Sequence, residues 1–268
     1  MNRSVNNVTG KITSGTKEWA DYNVNCVKGC ANDCRYCYAK LMAKRFHRAT
    51  EETWKDMEIR ENVLTTKFRK YPGRVMFPSS HDIVDTPDIK EACLTVLKNL
   101  LDADNDVLVT MKPSLNVTKD IVARFGEFKE TLQFRFTITS NNNETLSFWE
   151  PNAPSYEERV ESLLLAYKEG YKTSVSVEPF LDADPVPLVM DLSPFITESI
   201  WIGPMNHIPR KNIQSKDIPE YDRIRAAKKL ENLQRIHDEL VGVPNIRFKD
   251  SMRIKLGLAA RTEGNGLL

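Results

Sequence analysis

Short apolar runs alternate along the chain with longer segments in which apolar residues recur every three or four positions. The short runs fall at residues 22–25, 74–77, 107–109, 132–138, 175–177, 200–202 and 246–248, and most are rich in residues that suit strands. The longer segments between them read as helices. Thr86 is a predicted N-cap with Pro87 at the first helical position, and Ile89, Ala92, Cys93, Val96, Leu97 and Leu100 then form one apolar face. Thr118 is the predicted cap of a helix carrying Ile121, Val122 and Phe125. Ser155 and Glu158 have the spacing of a capping box, opening a helix that Gly170 closes. Residues 39–46 read as a helix, residues 54–68 as a second helical stretch stopped by the Tyr71-Pro72-Gly73 turn, and residues 222–240 as one long helix. Prolines in and near residues 184–195 leave that segment at best a broken helix.

Strand followed by helix, repeated, predicts an α/β fold with a parallel sheet and right-handed crossovers. Six such units are too few to close an eight-stranded barrel, so the predicted architecture is an open, partial (β/α)6 barrel of the TIM type. Chemistry in such barrels gathers at the C-terminal ends of the strands. Asp82, Glu178, Asn206, His207 and Asp250 stand there and are candidates to face a substrate. Their alternatives are structural: a satisfied histidine at 207, and a turn at Glu178-Pro179. Residues 1–17, rich in Asn, Ser, Thr and Lys, read as an N-terminal arm, and residues 18–268 as a single domain with a C-terminal extension.

Charge narrows the choice of partners. Lys and Arg number 38 against 37 Asp and Glu, so the net charge of +1 gives no global attraction for a polyanion. The basic segment with Arg210, Lys211, Lys216, Arg223, Arg225, Lys228 and Lys229 is interrupted by acids and reads as a solvated helix face, with phosphate contact as the alternative. No apolar run reaches the ~18 residues of a membrane span, and no signal-peptide pattern opens the chain. A cytoplasmic location without membrane attachment is expected.

The candidate chemistry lies in one short loop. Cys30, Cys34 and Cys37 place three thiols within eight residues. Zinc sites usually show paired Cys motifs or added His ligands, and disulfide scaffolds belong to small Cys-rich secreted domains; neither fits five Cys in 268 residues. Iron–sulfur clusters take Cys thiolates, normally four, so a loop offering three leaves one iron of a [4Fe-4S] cluster open. Cys26 could be a fourth ligand, making a closed, non-catalytic electron carrier or redox sensor; Cys93 reads as core.

The pattern CxxxCx(aromatic)C, matched by Cys30, Cys34, Tyr36 and Cys37, resembles that of the radical SAM superfamily. Tyr36-Cys37-Tyr38, Ser79-Ser80-His81-Asp82-Ile83-Val84, Val109-Thr110-Met111-Lys112, residues 134–140, Glu150-Pro151, Arg159 and Gly170-Tyr171-Lys172 fall in the order seen in its spore photoproduct lyase-like members, over residues 22–181. The resemblance implies a radical SAM partial barrel that reductively cleaves S-adenosylmethionine at a cluster on Cys30, Cys34 and Cys37. The resulting adenosyl radical would abstract hydrogen from an organic substrate, with a nucleic-acid base or nucleotide as the leading class. It implies an external one-electron donor of the flavodoxin or ferredoxin type. Tyr36 is expected near the adenine, with Ser79, Ser80, Lys112, Thr137, Thr139 and Arg159 as further cofactor contacts. For Thr137 and Thr139 the alternative is a plain strand role, and for Arg159 a surface pairing with Glu150 or Glu158. Lys112 suits a carboxylate. One departure matters: Ser79 stands where the lyase carries the Cys that donates a hydrogen atom, so Tyr38 or Cys26 must serve if that step is retained. Tyr38 is the candidate radical relay, or else a packed residue beside the cluster. A nucleic-acid-binding module with a structural metal is a third reading.

Overall fold

The strands are β1 Tyr22–Asn23, β2 Val27–Lys28, β3 Glu58–Ile59, β4 Val75–Phe77, β5 Val107–Met111, β6 Leu132–Thr137, β7 Lys172–Val177, β8 Ser199–Ile202 and β9 Ile246–Phe248. In this computed structural model, which describes residues 15–209 and 213–259, seven of them form one sheet in the order β1-β4-β5-β6-β7-β8-β9. Every neighbouring pair is parallel. The result is the predicted open half-barrel of α/β type, with strand order following chain order because each crossover returns to the next position.

The helices are α1 Tyr38–Arg45, α2 Glu61–Leu64, α3 Pro87–Asp102, α4 Leu115–Arg124, α5 Asn143–Trp149, α6 Tyr156–Lys168, α7 Val186–Leu192, α8 Ile218–Ala227, α9 Leu230–Leu240 and α10 Asp250–Lys255. The apolar face of α3 is buried as its spacing predicts, with Cys93, Val96, Leu97 and Leu100 fully enclosed. Alternation along β6 separates two environments. Leu132, Phe134 and Phe136 join the main apolar core, while Gln133 and Arg135 reach the hydroxyl of Ser174 and Thr137 borders the central cavity. The barrel interior is therefore polar, an unusual filling that leaves room for a ligand.

Several predicted elements differ from those observed. Residues 222–240 are not one helix: α8 ends at Ala227, Lys229 is extended, and α9 begins at Leu230. At about 100° per residue the stripe Tyr221, Ile224 would lie about a third of a turn away from Leu233, Ile236, Leu240 on a continuous helix. The two stripes in fact enter different apolar clusters. Residues 54–68 fold as a 3-10 turn, β3 and the short α2, because β3 pairs antiparallel with β2, Val27 opposite Ile59. Thr118 sits inside α4 and donates to the Ser114 carbonyl at 2.9 Å, leaving Ser114 at the cap position. Ser155 caps α6 as predicted, but the Glu158 carboxylate reaches the Leu115 amide instead of completing the box.

The N-terminal arm also changes character. Gly15–Glu18 form a 3-10 turn, and the Glu18 side chain is buried against Lys249 with an N···O distance of 2.9 Å. Residues 1–14, and Arg210 and Lys211 of the basic segment, lie outside the described residues. Among those described, no helix is long and apolar enough to cross a membrane.

Candidate active site

The cysteine loop is shaped by its neighbours before it can bind anything. Gly29 has φ +81°, and a Cβ there would stand 2.5 Å from the Asp56 carbonyl oxygen and 2.6 Å from that of Trp54. The loop then turns through Asp33, at φ 47°, whose amide donates to the Cys30 carbonyl. Cys37 sits at the cap position of α1, its sulfur accepting from the Lys40 amide at 3.4 Å. Further bonds tie the loop to the barrel: Asn32 to Asp82 at 2.8 Å, the Arg35 amide to the Trp149 carbonyl at 2.9 Å, and Asn152 to the Ala31 carbonyl at 2.9 Å. Gly29→Ala is expected to cost about 1–3 kcal/mol through left-handed strain and a clash with rigid backbone. Thermal denaturation and iron content after reconstitution would both fall; an unchanged melting temperature would contradict it.

Cys30, Cys34 and Cys37 line one wall of a cavity of about 770 Å³ over the C-terminal ends of the strands. Tyr36, Tyr38, Ser79, Ser80, Lys112 and Thr137, six of the residues expected there, line it too. So do Asp82, Glu178, Asn206 and His207. Tyr38 is exposed and stacks on His207 with ring centroids 5.9 Å apart.

Three expected residues lie elsewhere. Thr139 and Arg159 are fully buried behind the wall and do not border the cavity. Thr139 donates to Glu150 at 2.8 Å, and Arg159 Nη2 lies 2.6 Å from Glu150 Oε2. Both side chains thus meet Glu150 and not the cavity, and the Arg159–Glu150 pairing is internal, not superficial. Asp250 is 2 % exposed, its amide bonded to Glu18 at 2.9 Å, and it too is absent from the wall. Cys26 also turns away, buried with its sulfur 3.7 Å from that of Cys93 and its amide on His81.

Some residues of the site went unpredicted. Asn25 accepts from the Ser79 and Ser80 amides at 2.7 and 2.9 Å and donates to the Ser79 hydroxyl, fixing the turn after β4. α5 carries Trp149, whose carbonyl anchors the loop, and Phe148, which lies 4.0 Å beneath the Arg35 guanidinium. A seven-residue helix is too short to show a period. Trp19, Ser176 and Lys249 also line the cavity, signalled only by the strand-end rule in the case of Lys249.

The electrostatics centre on Lys112 and Glu150. Burial works against the Lys112 ammonium, but Cys34, Tyr36, Glu150 and Asp82 outweigh it and hold its pKa well above the usual lysine value. Its Nζ stands 5.6 Å from the Tyr36 ring centroid. Burial likewise pushes the Glu150 carboxyl up, yet Arg159, then Lys112, and hydrogen bonds from Tyr36 and Thr139 bring it below its ordinary range. Burial pushes all three loop thiols up, Cys30 to about 12 with help from Asp82. A metal that displaces the thiol protons removes this resistance to ionisation. No three described Cys, His, Asp or Glu side chains converge on one ion. Three thiols bordering one cavity fit a cluster, which takes one thiolate per iron.

An open parallel half-barrel with three cysteines at the mouth defines the radical SAM class of fold. The sequence profile of the Radical SAM superfamily matches residues 24–181, and the chain belongs to that superfamily. An uncharacterized protein of Acidianus two-tailed virus is 27% identical over 254 residues, covering 87% of this chain and 83% of its own. Another, of Methanocaldococcus jannaschii, is 28% identical over 166 residues, or 60% of this chain and 61% of its own. Among solved structures, spore photoproduct lyase with bound AdoMet and dinucleoside spore photoproduct matches with a TM-score of 0.56 and 13% identity, covering 90% of this chain and 79% of that one. Superfamily and fold together make this chain a radical SAM enzyme.

Proposed function

We propose that Cys30, Cys34 and Cys37 hold a [4Fe-4S] cluster and that the enzyme reductively cleaves S-adenosylmethionine to start hydrogen abstraction from an organic substrate. The carrying observation is that three cysteines, and no fourth, border the cavity beside the Lys112 cation, while Cys26 packs on Cys93. A cluster held by these three thiolates would supply the one electron that cleavage of the sulfonium requires. Lys112 suits the carboxylate of the methionine end. Tyr36, braced by Glu150, offers a ring beside the cluster loop, and Ser79, Ser80 and Thr137 offer hydroxyls along the same wall. Thr139 and Arg159 act through Glu150 as positioning residues. Tyr38, at the rim, carries the hydrogen-atom or radical relay that Ser79 cannot.

A nucleic-acid base or nucleotide is the leading substrate class, supported by the likeness to a lyase solved with a dinucleoside. The reading includes an external one-electron donor of the flavodoxin or ferredoxin type and a cytoplasmic setting that keeps the five free thiols reduced. The test is anaerobic reconstitution followed by dithionite and S-adenosylmethionine. Formation of 5′-deoxyadenosine is expected; an intact cluster that ignores S-adenosylmethionine would overturn the proposal.

A further inference from the structure

The cavity extends from the cysteine wall into the polar barrel interior, where Ser176 and Glu178 take alternate positions of the β7 segment and so face the same side. Ser176 is 1 % exposed, and its hydroxyl has no hydrogen-bond partner among the described residues although it borders the cavity. An orphaned buried hydroxyl is costly unless something completes it. Glu178 Oε2 lies 3.4 Å from Lys249 Nζ, and no described group donates to its other oxygen. Lys249 is itself fully engaged, with the Gly15 carbonyl at 3.0 Å and Glu18 at 2.9 Å as its other partners. Gly203 permits this approach: a Cβ there would stand 2.8 Å from Lys249 Cγ and 3.1 Å from Glu178 Cγ.

Charge and shape then restrict the occupant. The charges acting on Glu178 compensate one another, Glu18 and Glu178 against Lys249 and the buried Arg135, so this end of the interior suits a neutral group. Ser176 has a proton to donate, and the Glu178 carboxylate a lone pair to accept one. At the rim the stacked Tyr38 and His207 rings provide a flat aromatic platform. We propose that Ser176 and Glu178 form the substrate subsite and that it takes the lactam or imide edge of an uncharged heteroaromatic ring, the class to which pyrimidine nucleobases belong. The ring N–H donates to Glu178 while the adjacent carbonyl accepts from Ser176. This rests on the radical SAM reading of the same cavity.

The experiment is equilibrium dialysis of the full-length holoprotein, with cluster and S-adenosylmethionine but no reductant, against uridine, 3-methyluridine and cytidine at pH 8. The methyl group removes the N–H, and cytidine reverses donor and acceptor. Uridine is expected to bind at least about tenfold more tightly than the other two, and Ser176→Ala to weaken it about tenfold. Glu178→Gln, which keeps the shape and adds a donor, is expected to narrow the gap between uridine and cytidine. Indifferent binding of the three nucleosides, binding of none, or an unaffected Ser176→Ala variant would overturn the inference. In a parallel reduced sample, 5′-deoxyadenosine formed by the wild type separates that failure from failure of the radical SAM reading; its absence with an intact cluster overturns both.

Discussion

Cys34→Ala is expected to yield a folded protein that retains little cluster iron and forms 5′-deoxyadenosine at least about 100-fold more slowly than the wild type, a loss no smaller than that for removing a side chain that hydrogen-bonds a metal ligand. Cys34 is 6 % exposed and lies at the centre of the loop, where burial first, and then Glu150, Cys30 and Cys37, oppose its ionisation. It contributes little packing that alanine would not keep, so far-ultraviolet circular dichroism should be unchanged. Iron content, visible absorbance and product formation are the readouts. Full iron and full activity in the variant would move the third ligand position to another thiol, with Cys26 the first to test.

Arg159→Leu is expected to destabilise the protein by about 3–5 kcal/mol, the usual result of removing one partner from a buried ion pair. Both side chains of the pair are fully inaccessible. Nη2 and Oε2 approach to 2.6 Å off the hydrogen-bond axis, and neither atom has another bond, so the loss removes the larger of the two positive charges acting on Glu150 and leaves only Lys112. At a few degrees per kcal/mol for a chain of this size, the melting temperature should fall by about 10 °C.

The pH dependence has a definite sign. In the wild type the folded pKa of Glu150 is depressed below the ~4.3 of an unfolded chain, so its stabilisation is present above that value and is lost as pH falls through the folded pKa. In the variant the larger depressing charge is gone while Lys112 remains, so Glu150 is depressed less and the gap between the two proteins should narrow on acidification. A gap independent of pH would show that Arg159 acts through packing alone.

Much of the fold was legible because its signals are local. Strand runs, the Thr86-Pro87 start of α3 and the three-cysteine spacing need only neighbours in sequence. The failures share a physical cause. The break between α8 and α9 depends on two apolar stripes facing different clusters, and β3 forms because β2 offers an open edge. Thr139, just past β6, and Arg159, on α6, both meet Glu150 behind the cavity wall, and neither position in the sequence says whether the side chain faces the cavity or that carboxylate.

By itself the sequence determined the half-barrel order of strands, the cysteine loop and the place of Lys112 after β5, because periodicity, turn chemistry and ligand spacing are properties of short segments. Tertiary structure alone decided that Cys26 turns to Cys93, that Glu18 enters the barrel beside Lys249, and that Ser176 and Glu178 share one polar interior. Those outcomes rest on contacts between residues far apart in the chain, where burial and charge compensation are settled only when the strands come together.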